Sequence, residues 1–307
     1  MQWIVEIFRR HFRRLEPIPP PAEMLHRFGP LWNQRPAWIG QIRAVLFDLY
    51  GTLWISSSGQ LEQLRTPTHR EAIQQAIEAV GLRPSRWSED EADLLFRVID
   101  SMHAQRRAEG VDHPEISLPE AWRRALQEWA RSGAIREAEL EGVDLDRLVV
   151  ECEARANPLW PMPDAEQTLH RLRRGGYLLG AVSNAQFYTP WVFHALFDRS
   201  APELGLDPEI IFYSYVYGEA KPGQKLFQLA RQALANRRIA PEQTIHVGND
   251  MLHDIWPAHQ QGFRTVLFAG DQRSLRLRTE DPRLDGFRPD AVITCLGQLA
   301  DWLGCPP

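Results

Sequence analysis

Apolar residues fall in short runs through the second half of the chain and at helical spacing through much of the first. Residues 42–47 form a compact apolar run that stops abruptly at Asp48, the pattern of a strand buried on both faces. Similar runs at 177–182, 211–216, 244–247, 265–268 and 291–294 predict five more strands. Helical stretches such as 225–236 and 254–261 separate the later ones, and that alternation predicts a doubly wound α/β domain with a parallel sheet. Residues 56–163 carry no strand pattern. They predict four helices, at 68–80, 88–109, 118–131 and 145–156, with Ser88 and Glu91 spaced as a capping box.

At the start of the chain, Ile4, Ile7, Phe8, Phe12 and Leu15 line one side of a helix over 2–15, opposite Arg9, Arg10, Arg13 and Arg14. Such a helix either packs on its own domain or contacts a partner or membrane surface. It lacks the apolar stretch and cleavage site of a secretory signal. Prolines 17, 19, 20, 21, 30 and 36 break regular structure after it. The expected organisation is therefore 1–41 as helix and linker, 42–55 with 164–307 as the α/β core, and 56–163 as a helical insert.

Composition narrows the function classes. Forty acidic residues against 35 basic ones argue against a phosphate-backbone partner, so no nucleic acid is expected. No apolar run approaches the ~20 residues of a transmembrane helix. Three scattered cysteines signal neither a disulfide framework nor a zinc site, which makes a reducing cytoplasm the default location. Of the 35 basic residues, only Lys221 and Lys225 are lysine.

Ligands of open parallel sheets bind beyond the carboxyl ends of the strands. Those ends carry Asp48-Leu-Tyr-Gly-Thr52, then Ser183-Asn184, then Lys221-Pro222, then Gly248-Asn249-Asp250 with Asp254 beyond. This ordered set resembles the haloacid dehalogenase-like (HAD) hydrolase superfamily, and the insert resembles its cap domain. The resemblance implies a HAD-like Rossmannoid core with Asp48 as nucleophile, forming an ester or acyl phosphate that water then hydrolyses. It implies that Ser183, Asn184 and Thr52 contact the transferred group, and that Lys221 sits between nucleophile and anionic substrate, where a compact ammonium serves better than a guanidinium. Asp48, Asp250 and Asp254 set three carboxylates against one ammonium. Each like-charge pair costs about 4 kcal/mol at 4 Å and an effective dielectric of 20. A bound Mg²⁺ would relieve this, with either Asp250 or Asp254 as the direct ligand beside Asp48.

Tyr50 departs from the phosphatase pattern, which places a second Asp there as general acid. A phenol is a poor acid at neutral pH. The 2-haloacid dehalogenase branch has Tyr at this place and needs no proton for a halide, so Tyr50 would shape that pocket. The leading expectation is Mg²⁺-dependent hydrolysis of a small phosphorylated metabolite. Metal-independent 2-haloacid dehalogenation and a non-catalytic regulatory role are the alternatives. Gln186, Phe187, Tyr188 and the loop Asp112 to Glu115 are further residues that could face substrate. His246 reads as a core histidine, and His253 and His259 lack a third ligand at metal spacing.

Overall fold

The computed structural model describes residues 2–56 and 66–306. The first part of the insert, 57–65, lies outside the described residues. Among the described residues there are eight strands: β1 (Ala44–Phe47), β2 (Trp54–Ser56), β3 (Leu159–Pro161), β4 (Leu178–Ser183), β5 (Leu206–Tyr213), β6 (Thr244–Gly248), β7 (Arg264–Phe268) and β8 (Ala291–Ile293). Six of them form one all-parallel sheet in the order β5-β4-β1-β6-β7-β8. The chain winds outward from β1 in one direction and then the other, so the order reverses at β1 and opens a crevice beyond its carboxyl end. Alternate residues feed opposite layers. Val45 and Phe47 join one core cluster, while Ala44 and Leu46 join another with Phe212, Leu226 and Phe227.

β5 starts earlier than the apolar run at 211–216 suggests. Its first half contains Asp207, Pro208 and Glu209, which masks the strand pattern; β5 is an edge strand, where proline's missing N–H is tolerated. Residues beyond Tyr213 leave the sheet as a helical turn, Ser214–Tyr217.

The four helices of the insert are Pro67–Ala79, Glu89–Ala108, Leu118–Arg131 and Leu145–Ala156. Each begins with a side-chain cap, from Thr66, Ser88, Ser117 and Asp144, and the Ser88–Glu91 capping box is formed. The insert is not strand-free, however. β3 pairs antiparallel with β2, joining the two chain crossings between insert and sheet. Three-residue strands carry too little periodicity to show in sequence.

The N-terminal helix covers Gln2–His11 and packs on its own chain. Ile4, Ile7 and Phe8 are buried against the helices Leu145–Ala156 and Thr189–Phe197, and Phe8 lies 5.6 Å from the Tyr188 ring. The helix ends at His11, short of Leu15, and residues 12–21 have no regular structure. Short turns at Ala22–His26, Gly29–Leu31 and Ala37–Gln41 punctuate the proline-rich segment, and Leu25 and Phe28 bury against Leu267 and Val292. Phe8 is 1% exposed, so Phe8→Ala is expected to cost about 3–5 kcal/mol, read from the denaturant midpoint. A cost under about 1 kcal/mol would mean that the helix is not part of the folded core.

Candidate active site

The site forms where β1, β4 and β6 end side by side. Phe47 is in register with Ala181 and Val247, so the residues that follow these three emerge together. Beyond Asp48 the chain turns back through Gly51, whose φ of +87° favours glycine. A Cβ there would also sit 2.7 Å from Ser274 Cβ and 2.8 Å from Asn249 Nδ2.

Asp48 and Lys221 point at each other. Lys221 Nζ donates to Asp48 Oδ1 at 2.7 Å, to Asp254 Oδ1 at 2.5 Å and to the Val182 carbonyl at 3.2 Å. Ser183 Oγ donates to the same Asp48 oxygen at 3.0 Å. All four side chains are buried: Asp48 and Lys221 are 5% exposed, Ser183 and Asp254 1%. One ammonium thus serves two desolvated carboxylates, and it does not serve them equally. Burial works against ionised Asp254, but Lys221 and His246 hold it well below the usual carboxylate range. Asp48 moves the other way, to about 6, because burial raises it more than Lys221 lowers it and Asp254 raises it further. Burial opposes the Lys221 charge, yet Asp254 and Asp48 together keep it an ammonium.

Other expected residues support this cluster from behind. Asn184 holds the Lys221 backbone at both ends: its Oδ1 accepts from Lys221 N at 2.7 Å and its Nδ2 donates to Lys221 O at 3.1 Å. Thr52 is fully buried, with Oγ1 3.2 Å from Asn249 Oδ1 and 3.5 Å from Asp48 Oδ2. Asn249 Nδ2 donates to Ser274 O at 2.6 Å. Thr52 and the Asn184 amide therefore position neighbours, whereas the sequence suggests direct contact with the transferred group.

Asp250 and Asp254 do not share a helix face. Residues Met251–Ile255 form a single π-turn, and Asp250 caps it, accepting from Leu252 N at 2.8 Å and His253 N at 3.0 Å. Asp254 folds back beneath Lys221, and its Oδ2 accepts from Asp250 N at 2.9 Å. Gly248 makes room for this, since a Cβ there would lie 2.4 Å from Asp254 Cβ. The Asp250 carboxylate faces Arg278, which donates from Nη2 at 2.9 Å and Nε at 3.1 Å. Arg278 comes from the loop after β7, with no spacing that ties it to the other motifs. Its charge removes one of the two surplus negatives counted from sequence.

That arrangement changes the metal expectation. Asp254 is engaged on both oxygens, and among the described residues no group of three His, Cys, Asp or Glu stands ready to hold a metal. Asp48 and Asp250 both line the cavity, which matches Mg²⁺ held by two carboxylates and completed by water and substrate oxygens. Asp250 is likewise engaged on both oxygens, by Leu252 N and His253 N on Oδ1 and by Arg278 on Oδ2, so a Mg²⁺ held by Asp48 and Asp250 would share Asp250 with Arg278.

The cavity has a volume of about 430 Å³. Asp48, Lys221 and Asp250 lie in its wall, and residues of the insert, among them His103, Arg107, Glu115 and Glu153, complete it. Arg107 had no sequence signal beyond being one arginine of many. Tyr50 also lines the cavity. Its hydroxyl is 3.0 Å from Thr189 Oγ1, and burial together with Glu153 pushes the phenol well above its ordinary range. His246 is buried edge-on against Phe227 at 4.9 Å, and burial keeps it neutral. His259 packs on the Phe287 ring.

Among known proteins, the chain is 28% identical over 265 residues to a glyceraldehyde 3-phosphate phosphatase of Methanopyrus kandleri, covering 84% of this chain and 99% of that protein. In three dimensions it is similar to a 2-haloacid dehalogenase from Pseudomonas syringae pv. Tomato, at a TM-score of 0.55 and 20% identity over 86% of this chain and 98% of the other. A HAD phosphatase from Thermococcus onnurineus has a TM-score of 0.51 at 20% identity, with 86% and 99% covered. One fold thus accommodates both chemistries, and at these identities it shows the fold alone. The family model for haloacid dehalogenase-like hydrolases matches residues 42–273, and the chain belongs to that family of hydrolases.

Proposed function

We propose that this hydrolase removes the phosphoryl group from a small phosphorylated metabolite through a transient aspartyl phosphate on Asp48. The observation that carries the reading is the buried Asp48–Lys221–Ser183 cluster at the reversal of strand order. Lys221 and Ser183 fix one Asp48 oxygen, which leaves the other to attack phosphorus. Lys221 places positive charge where the phosphoryl oxygens gather negative charge, so the stabilisation is preorganised. When bound between Asp48 and Asp250, Mg²⁺ would screen the remaining repulsion between carboxylate and phosphate. The 56–163 insert acts as the cap, excluding water and selecting the substrate. Similarity to a glyceraldehyde 3-phosphate phosphatase along nearly all of that protein supports a small alkyl phosphate.

Tyr50 favours a second reading, metal-independent dehalogenation, in which the leaving halide needs no proton. The two readings separate in one assay. An aryl phosphate and a short 2-chloroacid are each tested with Mg²⁺ and with chelator. Phosphate release that chelator abolishes, with no halide release, is expected. Halide release unaffected by chelator would assign the dehalogenase reading, and silence in all four conditions would make the protein non-catalytic.

A further inference from the structure

Alkyl phosphates expel strongly basic alkoxides, so rapid cleavage needs a proton donor. Tyr50 stands where the family places that donor, and its raised phenol is the weaker for it. Three carboxyl groups of the insert also line the cavity, Asp112, Glu115 and Glu153, and of these Asp112 is exposed. Glu153 is hydrogen-bonded to Asn157 and Tyr188. Glu115 instead reaches across to the loop that follows Ser183.

Gln186 and Ser214 tie Glu115 to that loop, and the backbone of 113–115 is tied to the segment before Lys221. Gln186 Nε2 donates to Glu115 Oε1 at 2.8 Å, while Gln186 N and the Tyr50 hydroxyl both meet Thr189 Oγ1, at 3.2 and 3.0 Å. A short chain of contacts therefore links Glu115 to the Tyr50 position. Ser214 Oγ, 2.5 Å from Glu115 Oε2, also accepts from Ala185 N at 2.8 Å. Finally, the backbone of 113–115 is bonded beside Lys221: Ala220 N donates to His113 O at 2.7 Å and Glu115 N to Gly218 O at 3.2 Å.

The contacts around Ser214 accommodate a protonated Glu115. Ser214 has one hydroxyl proton, yet two acceptors lie near it, Ala185 O at 3.1 Å and Glu115 Oε2 at 2.5 Å. A proton on Glu115 satisfies both contacts, because the carboxyl then donates to Ser214 and Ser214 donates to Ala185. The groups bonded to Glu115 are Ser214, Gln186 and the Ile116 N–H, all uncharged; Arg107, His113 and Glu153 share the cavity. Burial raises the acid to about 7 against those hydrogen bonds, and Glu115 as a whole is half-buried in the cavity wall.

We infer that Glu115 is the general acid for the leaving alcohol, delivered by the insert to replace the acid missing at Tyr50. The inference rests on the phosphatase reading. Asp48 attacks phosphorus, the bond from phosphorus to the alcohol oxygen breaks with its electron pair going to that oxygen, and the Glu115 proton is transferred to it. In the second step, water attacks the aspartyl phosphate and gives a proton back to Glu115 as the bond to Asp48 breaks and phosphate forms.

Glu115→Gln keeps the shape and hydrogen bonds of the protonated acid but has no proton to give. The test is single-turnover release of the alcohol or phenol from an alkyl and an aryl phosphate, which isolates the first step. In Glu115→Gln, the ratio of aryl to alkyl rates is expected to rise about 10²-fold or more over wild type, with Glu153→Gln leaving that ratio unchanged. An equal loss on both substrates, or a change in the ratio from Glu153→Gln alone, would overturn the assignment. If the wild type released neither leaving group, the phosphatase reading would fail first and this inference with it.

Discussion

Asp48→Asn is expected to lower phosphate release by about 10⁴-fold or more while leaving the protein at least as stable as wild type. The two halves of that expectation have one cause. Asparagine retains an oxygen that can accept from Lys221 Nζ and Ser183 Oγ, at the 2.7 and 3.0 Å contacts now made by Asp48 Oδ1. What it lacks is the charge and the second nucleophilic oxygen. The Asp48 pKa is raised by folding, so stability is lost as pH climbs from the ordinary carboxylate range to about 6, and the full cost of the ionised form remains above that. Removing the charge relieves that cost at neutral pH. Steady-state phosphate release and a thermal melt check both halves. Retained activity in Asp48→Asn would refute the nucleophile, and a collapse of the melt would show that Asp48 serves structure.

Lys221→Met should fail in the opposite manner, losing stability as well as activity. Without the ammonium, Asp48 and Asp254 face each other across a dry site, and breaking a buried ion pair this way costs about 3–5 kcal/mol. Activity should fall about 10²–10³-fold from the lost electrostatic stabilisation alone. The sign of the pH dependence follows. In the wild type, Asp254 is depressed, so its contribution is present at neutral pH and fades only in strong acid. In Lys221→Met, burial raises both carboxylates, so the deficit is largest at neutral pH and shrinks as pH falls toward the ordinary carboxylate range near ~4. Denaturant midpoints at pH 7 and pH 5 measure it. A deficit that grows in acid would show that Lys221 does not hold these two carboxylates.

The sheet was legible because strands buried on both faces write their burial as apolar runs. Asp48 and Ser183 directly follow such runs, and Lys221 lies in the loop region after the third. The lysine was easier to see in a chain that uses arginine almost everywhere. Contacts set by tertiary folding were not legible. The spacing of Asp250 and Asp254 suggests a common face, but a π-turn sends one to Arg278 and the other beneath Lys221. Arg278 reaches the cavity from a distant loop that no local period announces, whereas the loop Asp112 to Glu115, singled out in the sequence, does line the cavity. The β2–β3 pair was hidden by its length, and the start of β5 by Pro208 in an edge strand.

The central claim is that Asp48 becomes transiently phosphorylated. Rapid acid quench during turnover of an aryl phosphate, followed by peptide mass spectrometry, tests it directly. The account predicts a phosphoryl group on Asp48 that appears within the first turnover and decays when substrate is exhausted. A phosphoryl group on any other side chain, or leaving-group release in the first turnover with none on Asp48, would contradict it.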